Sequence, residues 1–145
     1  MSSEVVAIAA DHAGFGLKQK LAGLITSRGF EVLDLGTHGP DSVDYPDFAE
    51  KVAEAILLGH AGRGVLVCGS GIGIGIAANR FPGIRAATCT DATMARLARA
   101  HNDANIISLG ARIISFETAS DCVLTFLSTP FDGGERHRRR IDKLG

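Results

Sequence analysis

Short apolar runs alternate with amphipathic stretches along the whole chain. Val5–Ala10 is apolar without interruption, which is typical of a strand covered on both faces. Four further strands are predicted at residues 30–35, 64–68, 84–88 and 106–109, some of which carry charged residues among the apolar ones. The stretches that follow these runs are predicted helices, at about 17–28, 47–58, 91–100 and 117–127, with a short one after the third run that ends at about residue 79. The pattern predicts an α/β fold: a three-layer α/β/α sandwich around a five-stranded parallel, Rossmann-like sheet.

The polar positions within these helices predict which faces meet solvent. In the first helix Leu17, Leu21 and Ile25 share one face, and we expect Lys18 and Lys20 to lie on the other, in water. Asp91 is expected to cap the fourth helix, because its carboxylate can accept from the first free N–H groups.

Composition narrows the class of protein. The 145 residues carry 15 Lys+Arg and 16 Asp+Glu, a net charge of -1, and 46% of them are hydrophobic. We therefore expect one globular domain over 1–145 that binds neither nucleic acid nor membrane. The beginning of the chain lacks the features of a secretion signal, and the three cysteines have no disulfide or zinc spacing. The expected compartment is the cytoplasm.

A glycine-rich loop directly follows the third apolar run. Gly69, Gly71, Gly73 and Gly75 alternate there, and such a backbone can point N–H groups at an anion. The dinucleotide fingerprint fails, because Ile74 or Ile76 occupies the position of its last glycine. A phosphate-binding loop of the Gly-Lys type fails too, since the chain has no Gly-Lys pair. The loop predicts an anion site of another kind.

Cys68 stands immediately before this loop. Nearby N–H groups favour the thiolate form, which can serve as a base or a nucleophile. A phosphatase loop would need Arg at the position of Ile74, and a nucleophile elbow would need Gly at that of Leu66. Cys68 is therefore interpreted as a general base.

Other polar groups are candidates for the same site. Asp11 and His12 follow the first strand, where working groups gather in parallel sheets, and we expect His101 to lie at that edge too. In the basic tail at 130–145, Arg136 and Arg140 are four residues apart, so on a helix both can hold one phosphate.

Motifs along nearly the whole chain strongly resemble the family of type B ribose-5-phosphate isomerases. The wider family includes galactose-6-phosphate and allose-6-phosphate isomerases. The motifs are Ala10–Gly14, Gly36-Thr37, Asp44–Pro46, Cys68–Gly73, Ala77–Arg80, Gly83–Ala86, His101–Asn105, Gly110–Arg112 and Arg136-His137. One departure is an extra residue, because Gly133-Gly134-Glu135 precedes Arg136-His137.

The resemblance implies an aldose–ketose isomerase that works through a cis-enediolate without metal or cofactor. It implies that Cys68 is the base, that Ser70 moves a proton between substrate oxygens, and that His101, with Asp11 nearby, opens the sugar ring. The implied anion hole is made by the N–H groups of Gly69, Ser70, Gly71, Ile72 and Gly73. The implied contacts to the substrate and its phosphate are Asp11, His12, Asn102, Arg112, Arg136, His137 and Arg140.

The family builds its sites from two chains, so the resemblance also implies a homodimer or a dimer of dimers. Three alternatives stay open. One is an isomerase of another sugar phosphate, with four or six carbons. The second is a sugar-phosphate-binding subunit without catalytic activity. The third is a nucleotide-binding regulatory module, against which the failed fingerprints speak.

Overall fold

The computed structural model describes residues 4–145 and has strands and helices in regular alternation. The strands are β1 (Val5–Ala10), β2 (Glu31–Asp34), β3 (Arg63–Cys68), β4 (Ala86–Thr88) and β5 (Ile106–Gly110). The helices are α1 (Phe15–Ser27), α2 (Tyr45–Leu57), α3 (Ile72–Ala78), α4 (Ala92–Ala100), α5 (Phe116–Ser128) and α6 (Glu135–Leu144).

The five strands form one parallel sheet in the order β2-β1-β3-β5-β4. Its two faces bury separate parts of the core, because successive side chains of a strand point to opposite faces. Val6 and Ile8 pack with α1, α4 and α5 on one face, while Ala7 and Ala9 pack with α2 and α3 on the other. This confirms the predicted α/β fold and explains the unbroken apolar runs.

The central strand β3 positions the glycine loop. Its register places Cys68 beside Gly110 of β5, so the loop lies in the middle of the carboxyl edge of the sheet. In parallel sheets this edge is where ligands bind.

The edge strand β4 is shorter than predicted, because it begins at Ala86 and not at Ile84. The side chain of Asn79 pairs with the free backbone of Ala86: its Oδ1 accepts from the N–H at 2.7 Å and its Nδ2 donates to the carbonyl at 2.9 Å. An amide side chain thus takes the place of a further strand at this edge.

The expectation that Lys18 faces solvent is wrong. Its side chain is completely buried, and its Nζ lies 2.8 and 2.7 Å from the two carboxylate oxygens of Asp34 at the end of β2. A buried ammonium requires such a partner. The spacing of residues in α1 cannot show this partner, because Asp34 belongs to β2.

The prediction that Asp91 caps α4 is confirmed, since its side chain accepts from the Met94 N–H at 2.8 Å.

The last helix, α6, extends from the body of the molecule, and none of its side chains is buried. The segment before it is tied to α4, because the Asp132 N–H donates to the Ala100 carbonyl at 2.9 Å. Within residues 4–145, the helices are all too short or too polar to span a bilayer.

Candidate active site

The loop after β3 brings backbone N–H groups to the thiol of Cys68. Gly71 has a left-handed backbone (φ 80°), and its N–H donates to Cys68 Sγ at 3.2 Å. A Cβ on Gly71 would lie 2.8 Å from the Leu109 carbonyl carbon, so both conformation and space require glycine here. The Ile72 N–H donates to Ser70 Oγ at 3.1 Å, which leaves the Ser70 hydroxyl proton available to a ligand.

A cavity of about 510 Å³ opens over this loop, a size suited to a small metabolite. It brings together seven of the predicted site residues and two that sequence reasoning did not place in a site. The lining residues are Asp11, Tyr45, Cys68, Gly69, Ser70, Ile72, Gly73, Arg112 and Ile113. The thiol, a carboxylate, a hydroxyl and a guanidinium thus face one space.

Two turns hold the groups that follow β1. Asp11 is buried, and its Oδ1 accepts from the Gly14 N–H at 3.0 Å. A Cβ on Gly14 would lie 2.5 Å from the carbonyl oxygen of Val67, so the turn packs directly on β3. His12 Nδ1 accepts from the Val43 N–H at 3.1 Å, which leaves its Nε2 as the ring atom able to contact a ligand.

Tyr45 lines the cavity but is not among the predicted site residues. Its ring covers Gly73, because a Cβ at Gly73 would lie 2.6 Å from Tyr45 Cζ. The sequence did offer a signal, because Tyr45 is the only tyrosine of the chain and belongs to the Asp44–Pro46 motif of the family resemblance.

The expectation that His101 lies at the same edge as Cys68 is wrong. His101 ends α4, and the chain then enters β5, whose first residue Ile106 pairs with Gly64 near the beginning of β3. Cys68 is the last residue of β3. His101 therefore lies at the amino edge of the sheet, because a helix that connects parallel strands returns the chain to the side where strands begin.

A second group of predicted residues surrounds His101 at the amino edge. The rings of His101 and His137 stack with centroids 4.4 Å apart and planes 12° from parallel. Asn102 follows His101, and its carbonyl accepts from Arg85 Nε at 2.9 Å. The stack docks the beginning of α6 on the end of α4 and places Arg136 beside it.

The helical register of α6 separates its arginines. Arg136, His137 and Arg140 lie within about 100° of arc on the helix, since each residue turns it by about 100°. Arg138 is engaged with its own segment: its Nε donates to the Gly133 carbonyl at 2.9 Å, and its guanidinium lies 5.5 Å from the Phe131 ring centroid.

Ligand atoms of His101, Asp132 and His137 lie within 4.8 Å of one another. Tetrahedral zinc needs its ligand atoms to point at one centre, about 2.0–2.1 Å from each of them. The stacked rings instead direct their nitrogen lone pairs along nearly parallel planes and not to a common point. This arrangement suits hydrogen bonding to a ligand better than metal binding. That the protein uses no metal stays a prediction.

A cavity of about 550 Å³ also lies at the amino edge, beside Arg63 and Arg99. Both guanidinium groups are already bound by the protein: Arg63 pairs with Glu4 at 2.6 Å and Arg99 with Asp103 at 2.7 Å. The chemistry therefore belongs to the smaller cavity over the glycine loop.

A parallel α/β sheet with a thiol, convergent N–H groups and a guanidinium at its carboxyl edge defines an enzyme that moves protons on a small anionic substrate. The chain belongs to the Ribose/Galactose Isomerase family, whose sequence profile matches residues 6–144. It is therefore an isomerase, an intramolecular oxidoreductase.

Three similar proteins match this chain over almost their whole length. Ribose-5-phosphate isomerase B of Escherichia coli is 41% identical over 139 residues, which cover 96% of this chain and 93% of the relative. The crystal structure of a ribose 5-phosphate isomerase from Thermotoga maritima is 55% identical, with a TM-score of 0.96 over 99% of this chain and 98% of that one. The structure of ribose-5-phosphate isomerase B of Clostridium thermocellum is 52% identical, with a TM-score of 0.95 over 97% of this chain and 95% of that one.

Proposed function

We propose that this protein interconverts ribose 5-phosphate and ribulose 5-phosphate through a cis-enediolate. The observation that carries the proposal is the position of Cys68, whose sulfur faces the cavity and accepts from the Gly71 N–H. The names of the relatives support the same substrate.

The reaction moves one proton between neighbouring carbons. The Cys68 thiolate takes the proton from C2 of the open-chain aldose, which leaves an enediolate with negative charge on its oxygens. The N–H groups of the 69–73 loop stabilise this charge, and removal of one such donor typically costs about 2.7–4 kcal/mol. The Ser70 hydroxyl transfers a proton from one substrate oxygen to the other. The thiol then returns its proton to C1, which completes the ketose.

Three further groups are proposed to orient the substrate: Asp11 and Arg112 line the cavity, and His12 follows Asp11 after the end of β1. Arg112 is exposed at the rim, and its Nη1 lies 3.3 Å from the position that a Cβ on Gly69 would take, so the cation lies directly over the loop. In the proposal Arg112 and His12 contact the anionic substrate, and Asp11 holds its hydroxyl groups and assists ring opening.

We further propose a homodimer, or a dimer of such dimers, with shared active sites. His101, Asn102, Arg136, His137 and Arg140 lie at the amino edge of the sheet, whereas Cys68 lies at the carboxyl edge. One chain cannot bring both groups to the same sugar. In a symmetric pair the amino-edge group of one copy completes the cavity of the other. His101 then protonates the ring oxygen, and the arginines bind the phosphate.

We also propose that the enzyme uses no cofactor and works in the cytoplasm. No cofactor is needed, because the substrate itself carries the oxidisable and the reducible carbon. The three free cysteines, all buried, suit a reducing compartment, so we place the protein in the cytoplasm. We assign the whole of 1–145 to one sugar-phosphate isomerase domain that acts on neither nucleic acid nor membrane.

An assay of the purified protein with ribose 5-phosphate tests the proposal. Ketose formation should be fastest with this sugar and slower with allose 6-phosphate and galactose 6-phosphate at equal concentration. Faster turnover of a six-carbon or four-carbon sugar would assign a different isomerase. Saturable binding of ribose 5-phosphate without turnover of any of them would mean a subunit without catalytic activity.

A further inference from the structure

Two hydroxyl groups, which we call the hydroxyl pair, lie beneath the glycine loop. They belong to Thr88 at the end of β4 and Ser108 in β5, which face each other in the sheet. Thr88 Oγ1 donates to the carbonyl oxygen of Gly71 at 3.2 Å. The two hydroxyl oxygens are 2.7 Å apart, and Ser108 is completely inaccessible to solvent.

The direction of these hydrogen bonds follows from proton counting. A hydroxyl has one proton to donate, and Thr88 gives its proton to Gly71. Ser108 must therefore be the donor in the contact with Thr88. The chain of bonds runs from Ser108 through Thr88 to the Gly71 carbonyl, and the N–H of the same glycine donates to Cys68 Sγ. The first of these bonds strengthens the second in a buried environment. The Gly71 carbonyl and the Gly71 N–H belong to successive peptide groups, so the hydroxyl pair acts on the N–H through the orientation of the Gly71 backbone.

The first turn of α3 is built to lie on the hydroxyl pair. A Cβ at Gly75 would lie 2.8 Å from Ser108 Oγ and 2.9 Å from Thr88 Oγ1, so only glycine allows this approach. Gly75 N–H also donates to the Gly71 carbonyl, at 3.3 Å. An apolar pair would fill the same space without requiring partners, whereas buried hydroxyl groups are costly unless they are bonded.

We infer that Thr88 and Ser108 are positioning residues for the base. They orient the backbone of Gly71 so that its N–H points at the Cys68 sulfur and stabilises the thiolate. The effect on catalysis rests on the proposed function of Cys68, but the effect on the thiol does not. Neither Thr88 nor Ser108 lines the cavity over the glycine loop.

The rate of Cys68 alkylation by iodoacetamide, measured against pH, tests the inference without reference to isomerase activity. Burial raises the pKa of Cys89 to about 12 and that of Cys122 to about 11, which suppresses alkylation of these two thiols. Cys68 lines the cavity and is the thiol expected to react. Peptide mass spectrometry identifies the labelled residue. In Thr88→Val the midpoint of the alkylation profile should move up by about half a unit to one unit, comparable to the loss of one hydrogen bond.

Isomerase activity of Thr88→Val should fall about three- to tenfold in kcat at pH 7, with KM unchanged. Thr88→Ser keeps the hydroxyl and should restore both the midpoint and kcat. Thr118→Val is the matched control, because it removes a hydroxyl that bonds only Ser115. It should leave both measurements unchanged.

The double variant Thr88→Val/Ser108→Ala separates positioning from folding, because it leaves neither hydroxyl without a partner. It should fold and show the same shift of the midpoint. An unmoved midpoint in this folded variant would overturn the role of the hydroxyl pair. A moved midpoint with unchanged kcat would instead support the pair and overturn Cys68 as the base.

Discussion

At the scale of single residues, the three thiols of this chain differ in what surrounds them. Cys89 and Cys122 lie in the core between the sheet and α4 and α5. Cys68 is as well covered, but its sulfur accepts from the Gly71 N–H and faces a cavity. Burial alone makes a cysteine inert, and the neighbouring donor and the open space are the reasons why we propose Cys68 as the reactive thiol.

Replacement of the proposed base tests the mechanism at its reacting atom. Cys68→Ala should fold and yet lose about 10²–10⁴-fold in turnover, the usual value of a general base. Exchange of the substrate's C2 hydrogen with solvent, followed by NMR in heavy water, should disappear in the same variant. Cys122→Ala is the matched control and should keep normal exchange. Full activity of Cys68→Ala would refute the assignment.

The two core thiols predict how stability depends on pH. Burial above all, with smaller contributions from neighbouring thiol and carboxylate charges, raises the pKa of Cys89 to about 12 and of Cys122 to about 11. An unfolded thiol ionises near 8.5, so above that pH the unfolded chain loses protons that the folded chain keeps. The free energy of unfolding should therefore decrease as pH rises from about 8.5 towards 11. Each thiol adds up to about 1.4 kcal/mol per pH unit.

Urea unfolding at pH 8, 9 and 10 measures this effect. Cys89→Ala and Cys122→Ala should each reduce the slope of stability against pH, even where they lower stability at pH 8. An unchanged slope in both variants would contradict the raised pKa values of these buried thiols.

His101 offers a test that separates ring opening from proton transfer. His101→Asn should nearly abolish turnover of ribose 5-phosphate, because its furanose ring must open first. Erythrose 4-phosphate cannot form the corresponding phosphorylated ring, so its turnover should be largely kept. Equal loss with both substrates would show that His101 acts in the isomerisation step itself.

At the scale of elements, α6 differs from the other helices because it has no buried side chain. Its His137 stacks on His101 at the end of α4, and Arg136 directly precedes His137. A helix stabilised by burial would show an apolar face, and this one presents mainly charge.

The arginines of α6 should differ in their effect on substrate binding. Arg136→Ala and Arg140→Ala should each raise KM for ribose 5-phosphate about tenfold or more, since a charge-assisted hydrogen bond contributes about 1.5–3 kcal/mol. Arg138→Ala should change KM little, because that side chain bonds the Gly133 carbonyl and lies on Phe131. Steady-state kinetics of the three variants and of Arg139→Ala measure this. If Arg139 is needed and Arg140 is not, the extra residue in 133–135 has shifted the register.

At the scale of the whole molecule, the distance between the two groups of site residues becomes a test of assembly. If each site takes Cys68 from one copy and His101 from the other, a dimer of Cys68→Ala with His101→Asn contains one site with both changes and one intact site. Refolding the two inactive variants together should restore about a quarter of wild-type activity, since half of the dimers are mixed. Activity that stays absent would place both residues in sites within one chain.

Much of this architecture is determined by the sequence alone. Unbroken apolar runs separated by amphipathic stretches specify buried parallel strands and crossover helices, because side-chain periodicity is a local property. The same local logic places the Cys68 loop and Asp11 at strand ends, and the structure brings both into one cavity. The cap of α4 is another local feature, because the carboxylate of Asp91 accepts a hydrogen bond from the N–H of Met94, three residues later.

What only the tertiary structure decided depends on partners far apart in the chain. The sheet order brings Arg112, after β5, to the loop after β3, and Asp34 to the buried Lys18, while Asn79 ends the sheet at β4. The fold also places His101 at the edge opposite to Cys68. This follows because α4 leads the chain from the carboxyl end of β4 back to the amino end of β5. Residue pattern shows which side chains need a partner or a site, but only the packing of elements determines which partner lies within reach.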